Sequence, residues 1–192
     1  MDFAKFADVS RQAGIDPVSH RSWRFAIPDQ KGTLVELLSG MPKGLNIMDL
    51  QYGRTMKDPQ RPLLTLDVPK TAMAGFESWM EQNADLVEEV TGDGATKFRV
   101  IPFTPSLYHH PLFVEVEFPE RPGALLFFMK AVSPFASLCY FNYTYTGERV
   151  GRALVGLDFE DAPGLERDRE KIFAQAGQTV RAVREVGFDS LA

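Results

Sequence analysis

The 192-residue sequence has a single cysteine, Cys139, so no disulfide can form within the chain. Proteins without disulfides are typical of reducing compartments, and we therefore expect a cytoplasmic location. The residues after Met1 contain no apolar segment of the kind that a signal peptide requires. No apolar run approaches the roughly 18 residues that a membrane-spanning helix needs, so we expect no membrane partner.

Clusters of positive charge are also missing. Lysine and arginine number 21 against 26 acidic residues, the net charge is -5, and no run of five basic residues occurs. Nucleic-acid binding is therefore not expected. The chain has no glycine-rich phosphate loop, and His109 and His110 lack neighbouring ligands at metal-binding spacing. We therefore predict neither a cofactor nor a metal site, and we interpret Cys139 as a buried small apolar residue.

The main feature that is present is an internal repeat. A shift of 91 positions aligns the two halves without a gap, so that residues 27–34 fall on residues 118–125. Chance would supply about two or three identities over the best-aligned stretch, positions 28–67. The observed identities number nine: Pro28, Gly32, Leu34, Tyr52, Thr55, Arg61, Leu63, Leu66 and Asp67 with their counterparts. We infer a duplication of one structural unit.

Each copy predicts the same order of elements. Alternating apolar residues predict a first strand, a turn with proline and glycine follows, and apolar residues at helical spacing predict a buried helix. Two strands, a second helix and a last strand complete a βαββαβ unit. We therefore predict an α+β fold of two tandem ferredoxin-like units, with antiparallel sheets and the helices on one face. The later elements are predicted at 46–54, 61–68, 72–84 (with Thr71 as N-cap) and 86–91, and at 137–145, 152–159, 165–176 and 178–183.

The predicted organisation has four parts. An N-terminal extension, residues 1–21, precedes a first unit at 22–91, a linker at 92–111 and a second unit at 112–192. Apolar residues in the extension fit a docking helix or an arm that binds a partner. Residues 97–103 of the linker fit an edge strand or a helix. Because the linker is short, we expect the two units to pack closely.

The turn between the first strand and the first helix is the strongest candidate site. Gly123 allows the backbone to approach a ligand, and the helix that follows presents free N–H groups that suit a carboxylate or a phosphate. A tight turn that binds nothing explains the same pattern. Arg61 and Arg152 occupy matched positions, where they either hold a carboxylate or form surface ion pairs.

Three blocks of the second copy resemble a known family. The blocks "FPERPGALLFF", "CYFNYTYTG" and "GRALVGLDF" are similar to the C-terminal regulatory region of biosynthetic threonine dehydratase (threonine ammonia-lyase), which has two tandem ACT-like units. Residues 112–159 match the family pattern nearly throughout. The first copy matches more loosely, because residues 29–32 replace the family's Glu-x-Pro-Gly. The resemblance covers roughly residues 22–186.

This resemblance implies a regulatory module that is not itself an enzyme. In the family the ACT-like units bind isoleucine as a feedback inhibitor, opposed by valine, at the interface between units. The pyridoxal-phosphate domain that carries the family's catalysis has no counterpart in this sequence, so no cofactor is implied. The implied partners are an amino-acid effector, a catalytic threonine dehydratase subunit and a second copy of the chain in a homodimer.

The resemblance also implies an effector site. Backbone N–H groups near Gly32 and Gly123 would hold the carboxylate, the amide oxygen of Asn142 would accept from the ammonium, and two tyrosines would form an aromatic wall. For each tyrosine, a sheet residue with a solvated hydroxyl is the alternative. An enzyme and a module that only oligomerises are the other functions left open. The predicted site comprises Gly32, Tyr52, Glu120, Gly123, Ala124, Asn142 and Tyr143.

Overall fold

The computed structural model describes residues 21–119, 121, 123–145 and 150–187. Its first half contains strands β1 to β4 and helices α1 and α2. In chain order these are β1 (Arg21–Phe25), α1 (Thr33–Gly40), β2 (Asn46–Gly53), β3 (Leu63–Asp67), α2 (Lys70–Gln82) and β4 (Val87–Glu89). Nearly all of the predicted N-terminal extension lies outside the described residues.

The second half repeats this order after a short helix in the linker, α3 (Gly94–Lys97). Its elements are β5 (His110–Pro119), α4 (Ala124–Val132), β6 (Ser137–Thr144), β7 (Val150–Phe159), α5 (Ala162–Gly177) and β8 (Ala182–Val186). Single 3₁₀ turns occur at Ala84–Leu86 and Pro105–Leu107. The predicted fold class, two tandem βαββαβ units of ferredoxin-like type, is confirmed.

All eight described strands form one antiparallel sheet in the order β4-β1-β3-β2-β6-β7-β5-β8. The two units join where β2 pairs with β6. At the centre of this pair Gln51 lies opposite Asn142, and these residues are themselves 91 positions apart. Leu50 pairs with Tyr143, and Tyr52 pairs with Phe141. The units are therefore related by an approximate twofold axis that passes between Gln51 and Asn142.

Helices α1 and α4 pack against each other across this axis. Each helix buries an apolar face, which includes Leu34 and Leu38 of α1 and Phe128 and Val132 of α4. These residues belong to one core cluster that runs through both units. Burial of apolar surface, worth about 25 cal/mol per Å², thus joins the units into one body. The helices run antiparallel, so the first turn of each lies near the last turn of the other.

The linker crosses the opposite face of the sheet at the junction of the units. The Arg99 side chain donates to Asp49 (2.6 Å) and to Asn142, one residue from each central strand. The ring of Phe103 packs edge-on against Tyr140 at 5.6 Å. Residues 97–103 form neither of the predicted elements beyond Lys97, since α3 ends there and the chain continues without regular structure.

Several helices and strands begin at residues other than those predicted from the sequence. Helix α2 begins at Lys70 with Pro69 as its N-cap residue, so Thr71 is not the cap. Helix α5 begins at Ala162 because the Asp161 carboxylate accepts from the Gly164 amide at 2.6 Å. The last strand starts four residues later than predicted, at Ala182 rather than residue 178, because the amides of Thr179 and Val180 still bond to the end of α5.

Gly53, at the end of β2, allows the linker to approach the sheet. A Cβ atom added at Gly53 would lie 2.3 Å from the carbonyl oxygen of Pro102. We predict that Gly53→Ala lowers the free energy of unfolding by about 1–3 kcal/mol, because the linker backbone must move away. Chemical denaturation measures this change.

Gly75→Ala is the matched control, because a Cβ added at Gly75 in the middle of α2 meets nothing within 4 Å. Alanine there should raise the free energy of unfolding by up to about 1 kcal/mol through helix propensity. Equal effects of the two substitutions would contradict the close packing of the linker.

Candidate functional site

Two glycines precede α1 and α4 in the same backbone conformation. Gly32 has a φ angle of 92° and Gly123 a φ angle of 81°, both in the left-handed region. Residues with a side chain enter this region at a cost of about 1–2 kcal/mol, so the turn geometry explains why the repeat has glycine at both positions. The turns place the N-termini of α1 and α4 at opposite ends of the interface between the units.

The first turns of α1 and α4 present unpaired backbone amides. Neither helix has a side-chain cap. In the part of the chain that the structure describes, no acceptor bonds to the amides of Leu34 and Val35, or to those of Leu125 and Leu126. Such amides, together with the partial positive charge at a helix N-terminus, favour an anionic group. The amides that the sequence predicted to be free are thus not capped by described protein atoms.

A cavity lies beside each of these turns. One has Gly32 and Tyr52 in its wall and a volume of about 30 Å³, which is space for water. The other has Gly123 and Tyr143 in its wall and a volume of about 510 Å³, within the range of small-molecule sites. Both are partly open to solvent. The two cavities are counterparts under the 91-residue shift, yet they differ greatly in size. We call them the small cavity and the large cavity.

The large cavity takes its walls from both units. The second unit contributes the turn at Gly123, the start of α4 and Tyr143, and the first unit contributes the end of α1 and residues 41–47. Apolar side chains, among them Leu45 and Ile47, form much of the surface. Its described charged side chains are all basic: Arg121, Lys43 and Lys130. The cavity therefore combines an apolar wall with a positive potential at the helix N-terminus.

Tyr143 is held in place beside this cavity. Its ring packs edge-on against Phe118 at 5.8 Å, and only 6% of the residue is exposed. The opposite side of the ring lies over Gly151, where an added Cβ atom would be 2.6 Å from Cε2. Tyr143 is therefore a packed wall residue and not a side chain that extends into solvent.

Tyr52 occupies the matching place in the small cavity. Burial raises the pKa of its hydroxyl to about 12, and the adjacent Arg54 guanidinium opposes this shift. Arg54 lies between two carboxylates, at 3.0 Å from Asp158 Oδ2 and 3.3 Å from Asp29 Oδ1. The hydroxyl of Tyr52 thus remains protonated at neutral pH.

The structure brings five of the seven predicted site residues to the two cavities. Gly32 and Tyr52 line the small cavity, and Gly123, Ala124 and Tyr143 line the large one. Glu120 lies outside the described residues. Asn142 projects from the opposite face of the sheet, where its amide oxygen accepts from Arg99. The structure therefore does not bring Asn142 to either cavity, because neighbouring residues of a strand point to opposite faces.

The resemblance implied a site at the interface between units, but sequence reasoning did not name the residues that each unit supplies to the wall beside the other's turn. Residues 41–47 and 132–138 carry no motif, and only the packing of α1 on α4 brings them to the cavities. Arg61 and Arg152, considered above as carboxylate ligands, lie 3.7 Å from Glu88 and Glu117 on the surface. Such exposed pairs contribute little to stability.

Two classes of site find no support in the described residues. No group of three or more histidine, cysteine, aspartate or glutamate side chains is arranged to hold a metal ion within the described ranges. Among the helices described, none is long and apolar enough to span a bilayer.

The second unit matches a known family of domains. Residues 108–183 match the C-terminal regulatory domain of threonine dehydratase. The resemblance predicted from the sequence is thereby confirmed for this segment. It runs from just before β5 into the start of β8 and includes Gly123, Ala124 and Tyr143. The matched domain is a regulatory one and not the catalytic domain of the enzyme.

Two curated relatives are similar over most of the chain. L-threonine dehydratase biosynthetic IlvA of Burkholderia multivorans is 26% identical over 176 residues, which cover 88% of this chain and 34% of the relative. Threonine dehydratase 1 biosynthetic, chloroplastic, of Solanum lycopersicum is 28% identical over 162 residues, which cover 82% and 26%. The chain thus spans about a third or less of the length of these relatives.

Solved structures give weaker matches. The regulatory subunit of aspartate kinase from Thermus thermophilus superposes with a TM-score of 0.29 at 17% identity, over 84% of this chain and 93% of that one. Aspartate kinase from Synechocystis gives a TM-score of 0.31 at 10% identity, over 88% and 43%. Superpositions at this level carry no information about function.

The raised pKa of Tyr52 predicts a loss of stability in alkaline solution. The pKa of Tyr52 in the folded state, about 12, lies above the ordinary value of 10. The contribution of its protonated hydroxyl to the free energy of unfolding is therefore complete below about pH 10 and is lost as the pH rises towards 12. The free energy of unfolding should fall between about pH 8 and about pH 11, and this fall should be about 1 kcal/mol smaller for Tyr52→Phe than for the parent chain. Urea unfolding at the two pH values measures the difference.

Tyr140→Phe is a comparison for this measurement and not a control without effect. Burial also raises the pKa of Tyr140, on the opposite face of the sheet, so Tyr140→Phe should likewise reduce the alkaline loss. An alkaline loss that is unchanged in Tyr52→Phe would mean that the Tyr52 hydroxyl is hydrated in the folded state.

Proposed function

We propose that this chain is a regulatory module that binds a branched-chain amino acid, isoleucine or valine, in the large cavity. The bound effector would modulate a threonine dehydratase catalytic unit, either joined to this chain or associated with it. The observation that carries the proposal is the large cavity itself. Helix amides without a described acceptor and a packed tyrosine, both in the segment that matches a threonine dehydratase regulatory domain, meet there an apolar wall from the other unit.

The carboxylate of the effector would bind at the start of α4. The amides of Leu125 and Leu126 have no acceptor among the described residues, and Arg121 supplies a positive charge to the same cavity. Hydrogen bonds to a charged acceptor are stronger than those between neutral groups, so this end of the cavity would orient the ligand. Among the described residues, the wall of the large cavity has no acidic side chain.

The apolar wall would receive the effector's side chain. Met41, Leu45 and Ile47 of the first unit face Leu126 of the second across the large cavity. Such a wall discriminates by size, and one methylene changes affinity by about 1–3 kcal/mol. Isoleucine should therefore bind more tightly than valine, which in turn should bind more tightly than alanine.

A ligand in this place would couple to the arrangement of the units. Because its carboxylate binds one unit and its side chain contacts the other, its affinity depends on the distance between the two walls. A ligand that favours one spacing shifts the population towards that spacing. The same free energy then becomes available to change the state of a catalytic unit that contacts the module.

The sequence left two other functions open, an enzyme and a module that only oligomerises. The match of residues 108–183 to a regulatory domain supports a regulatory role over an enzymatic one. A module that only oligomerises is tested by the same titrations, because it would bind no amino acid. The homodimer stays a prediction, for which analytical ultracentrifugation is the measurement.

We predict that isoleucine binds to the isolated chain and that Gly123→Ala weakens binding by about tenfold or more. Alanine at a φ of 81° shifts the turn that positions the α4 amides, and its Cβ atom approaches Phe127 to 3.4 Å. Isothermal titration with isoleucine, valine and alanine measures the affinities. Saturating isoleucine should also raise the stability, by about 2.7 kcal/mol at a hundredfold excess over Kd.

Gly32→Ala is the matched control, since Gly32 has a φ of 92° and an added Cβ atom there meets nothing within 4 Å. Both variants should lose a similar amount of stability, about 1–2 kcal/mol, but only Gly123→Ala should lose affinity. Absence of binding to any of the twenty amino acids at millimolar concentration would refute the proposal.

A further inference from the structure

We propose that two links between the units hold the small cavity closed, and we call these two links the lock. Each chain then offers one effector site instead of the two that its approximate twofold symmetry suggests. This inference rests on the proposed function for the nature of the ligand, but the lock itself is a property of the apo chain. The starting observation is the difference between about 30 Å³ and about 510 Å³ at positions that the 91-residue shift relates.

The first link runs directly from one unit to the other. Lys31 lies in the turn before α1, and its Nζ donates to the carbonyl oxygen of Pro134 at 3.0 Å. Pro134 follows α4, among the residues that form the opposite wall of the small cavity. The bond thus spans the two walls, and it pairs a cation with the negative end of a helix.

The second link passes through Arg54 at the end of β2. Its Nη1 donates to Asp158 in β7 of the second unit at 3.0 Å, and only 3% of the Asp158 side chain is exposed. Its Nε lies 3.3 Å from Asp29 in the turn before α1, an electrostatic contact without hydrogen-bond geometry. The two links together hold residues 29–31 of the first unit against the second unit.

Further hydrogen bonds hold the Asp158 carboxylate of this second link in position. The same carboxylate accepts from the backbone amides of His109 and His110 at 2.8 and 3.1 Å. A buried carboxylate with several donors is fixed in position, because moving it would leave donors unpaired in a region that water does not reach. Arg54 therefore ties the turn to an immobile point of the second unit.

The sequence of the second copy lacks both cations of the lock. Under the 91-residue shift, Lys31 corresponds to Pro122 and Arg54 corresponds to Tyr145. Neither residue carries a charge that could draw the turn before α4 towards the first unit. Tyr145 instead contributes to the wall of the large cavity.

Side-chain size along the walls differs in both directions between the two cavities. Met41 and Leu45 of the large cavity correspond to the smaller Val132 and Ala136, whereas Gly44 and Gly151 of the large cavity correspond to the larger Phe135 and Gln60. The two links therefore act together with side-chain size in setting the volume of the small cavity.

The rate at which a reagent modifies a cysteine placed in each cavity, without ligand, tests the lock. Val35 and Leu126 are counterparts in the two walls, and both are partly exposed. Val35→Cys and Leu126→Cys place one thiol in each cavity, while Cys139 is fully buried and its thiol pKa is raised by burial. We predict that iodoacetamide modifies Leu126→Cys about tenfold or more faster than Val35→Cys. Similar rates in the two variants would overturn the inference.

An unlocking variant identifies the cause. Asp29→Asn with Lys31→Met removes both contacts of the turn without a change in net charge, and should speed the modification of Val35→Cys about tenfold. Glu160→Gln with Lys57→Met is the control, since both side chains are exposed and take no part in the lock. If the unlocking pair leaves the rate at Val35→Cys unchanged, the two links do not hold the cavity shut.

Binding stoichiometry connects the lock to the effector. Titration of the parent chain with isoleucine should give one ligand per chain, and hydrogen exchange should show protection at residues 41–47 and 123–127 but not at 28–35. Two ligands per chain would overturn the inference and leave the proposed function standing. Absence of any binding would refute the proposed function, while the modification rates still decide whether the lock exists.

Discussion

The pairing of β2 with β6 is the interaction on which the rest of the structure depends. It joins two four-stranded sheets edge to edge, with Gln51 opposite Asn142 on the approximate twofold axis. Because the strands meet in this register, α1 must pack on α4, and the first turn of each helix must face the last turn of the other. Both cavities follow from this one contact, since each is bounded by a turn of one unit and a wall of its neighbour.

Four charged side chains make this approximately symmetric arrangement of the two units asymmetric. Arg54, Asp29, Asp158 and Lys31 join the units at one end of the interface, whereas the counterparts of the two cations are Tyr145 and Pro122. Arg54 and Asp158 are shielded from solvent, where charges act strongly over short distances, and the exposed Asp29 and Lys31 add weaker contacts at the same end. At the other end, neither counterpart of the two cations carries a charge. The spacing of the units at that end is the structural variable on which a regulatory ligand would act.

Much of the fold was available from the repeat. The βαββαβ order and the turn at Gly123 were predicted from the alignment of the two halves, whereas the place of both tyrosines beside a site was implied by the family resemblance. Asn142 was predicted to bind the same effector as Tyr143, but strand alternation places adjacent residues on opposite faces, and Asn142 contacts Arg99 on the other face. The linker was harder to predict, because the interaction of Arg99 with Asp49 and Asn142 joins residues that are more than 40 positions apart.

The sequence by itself determined the units, because apolar periodicity and glycine positions are local properties that survive duplication. It also determined the similarity to threonine dehydratase regulatory domains, since the matching blocks are contiguous. Only the tertiary structure decided which of the two related cavities is open. That outcome depends on how far apart two walls stand, and the distance is set by ion pairs between residues such as Arg54 and Asp158, which lie 104 positions apart.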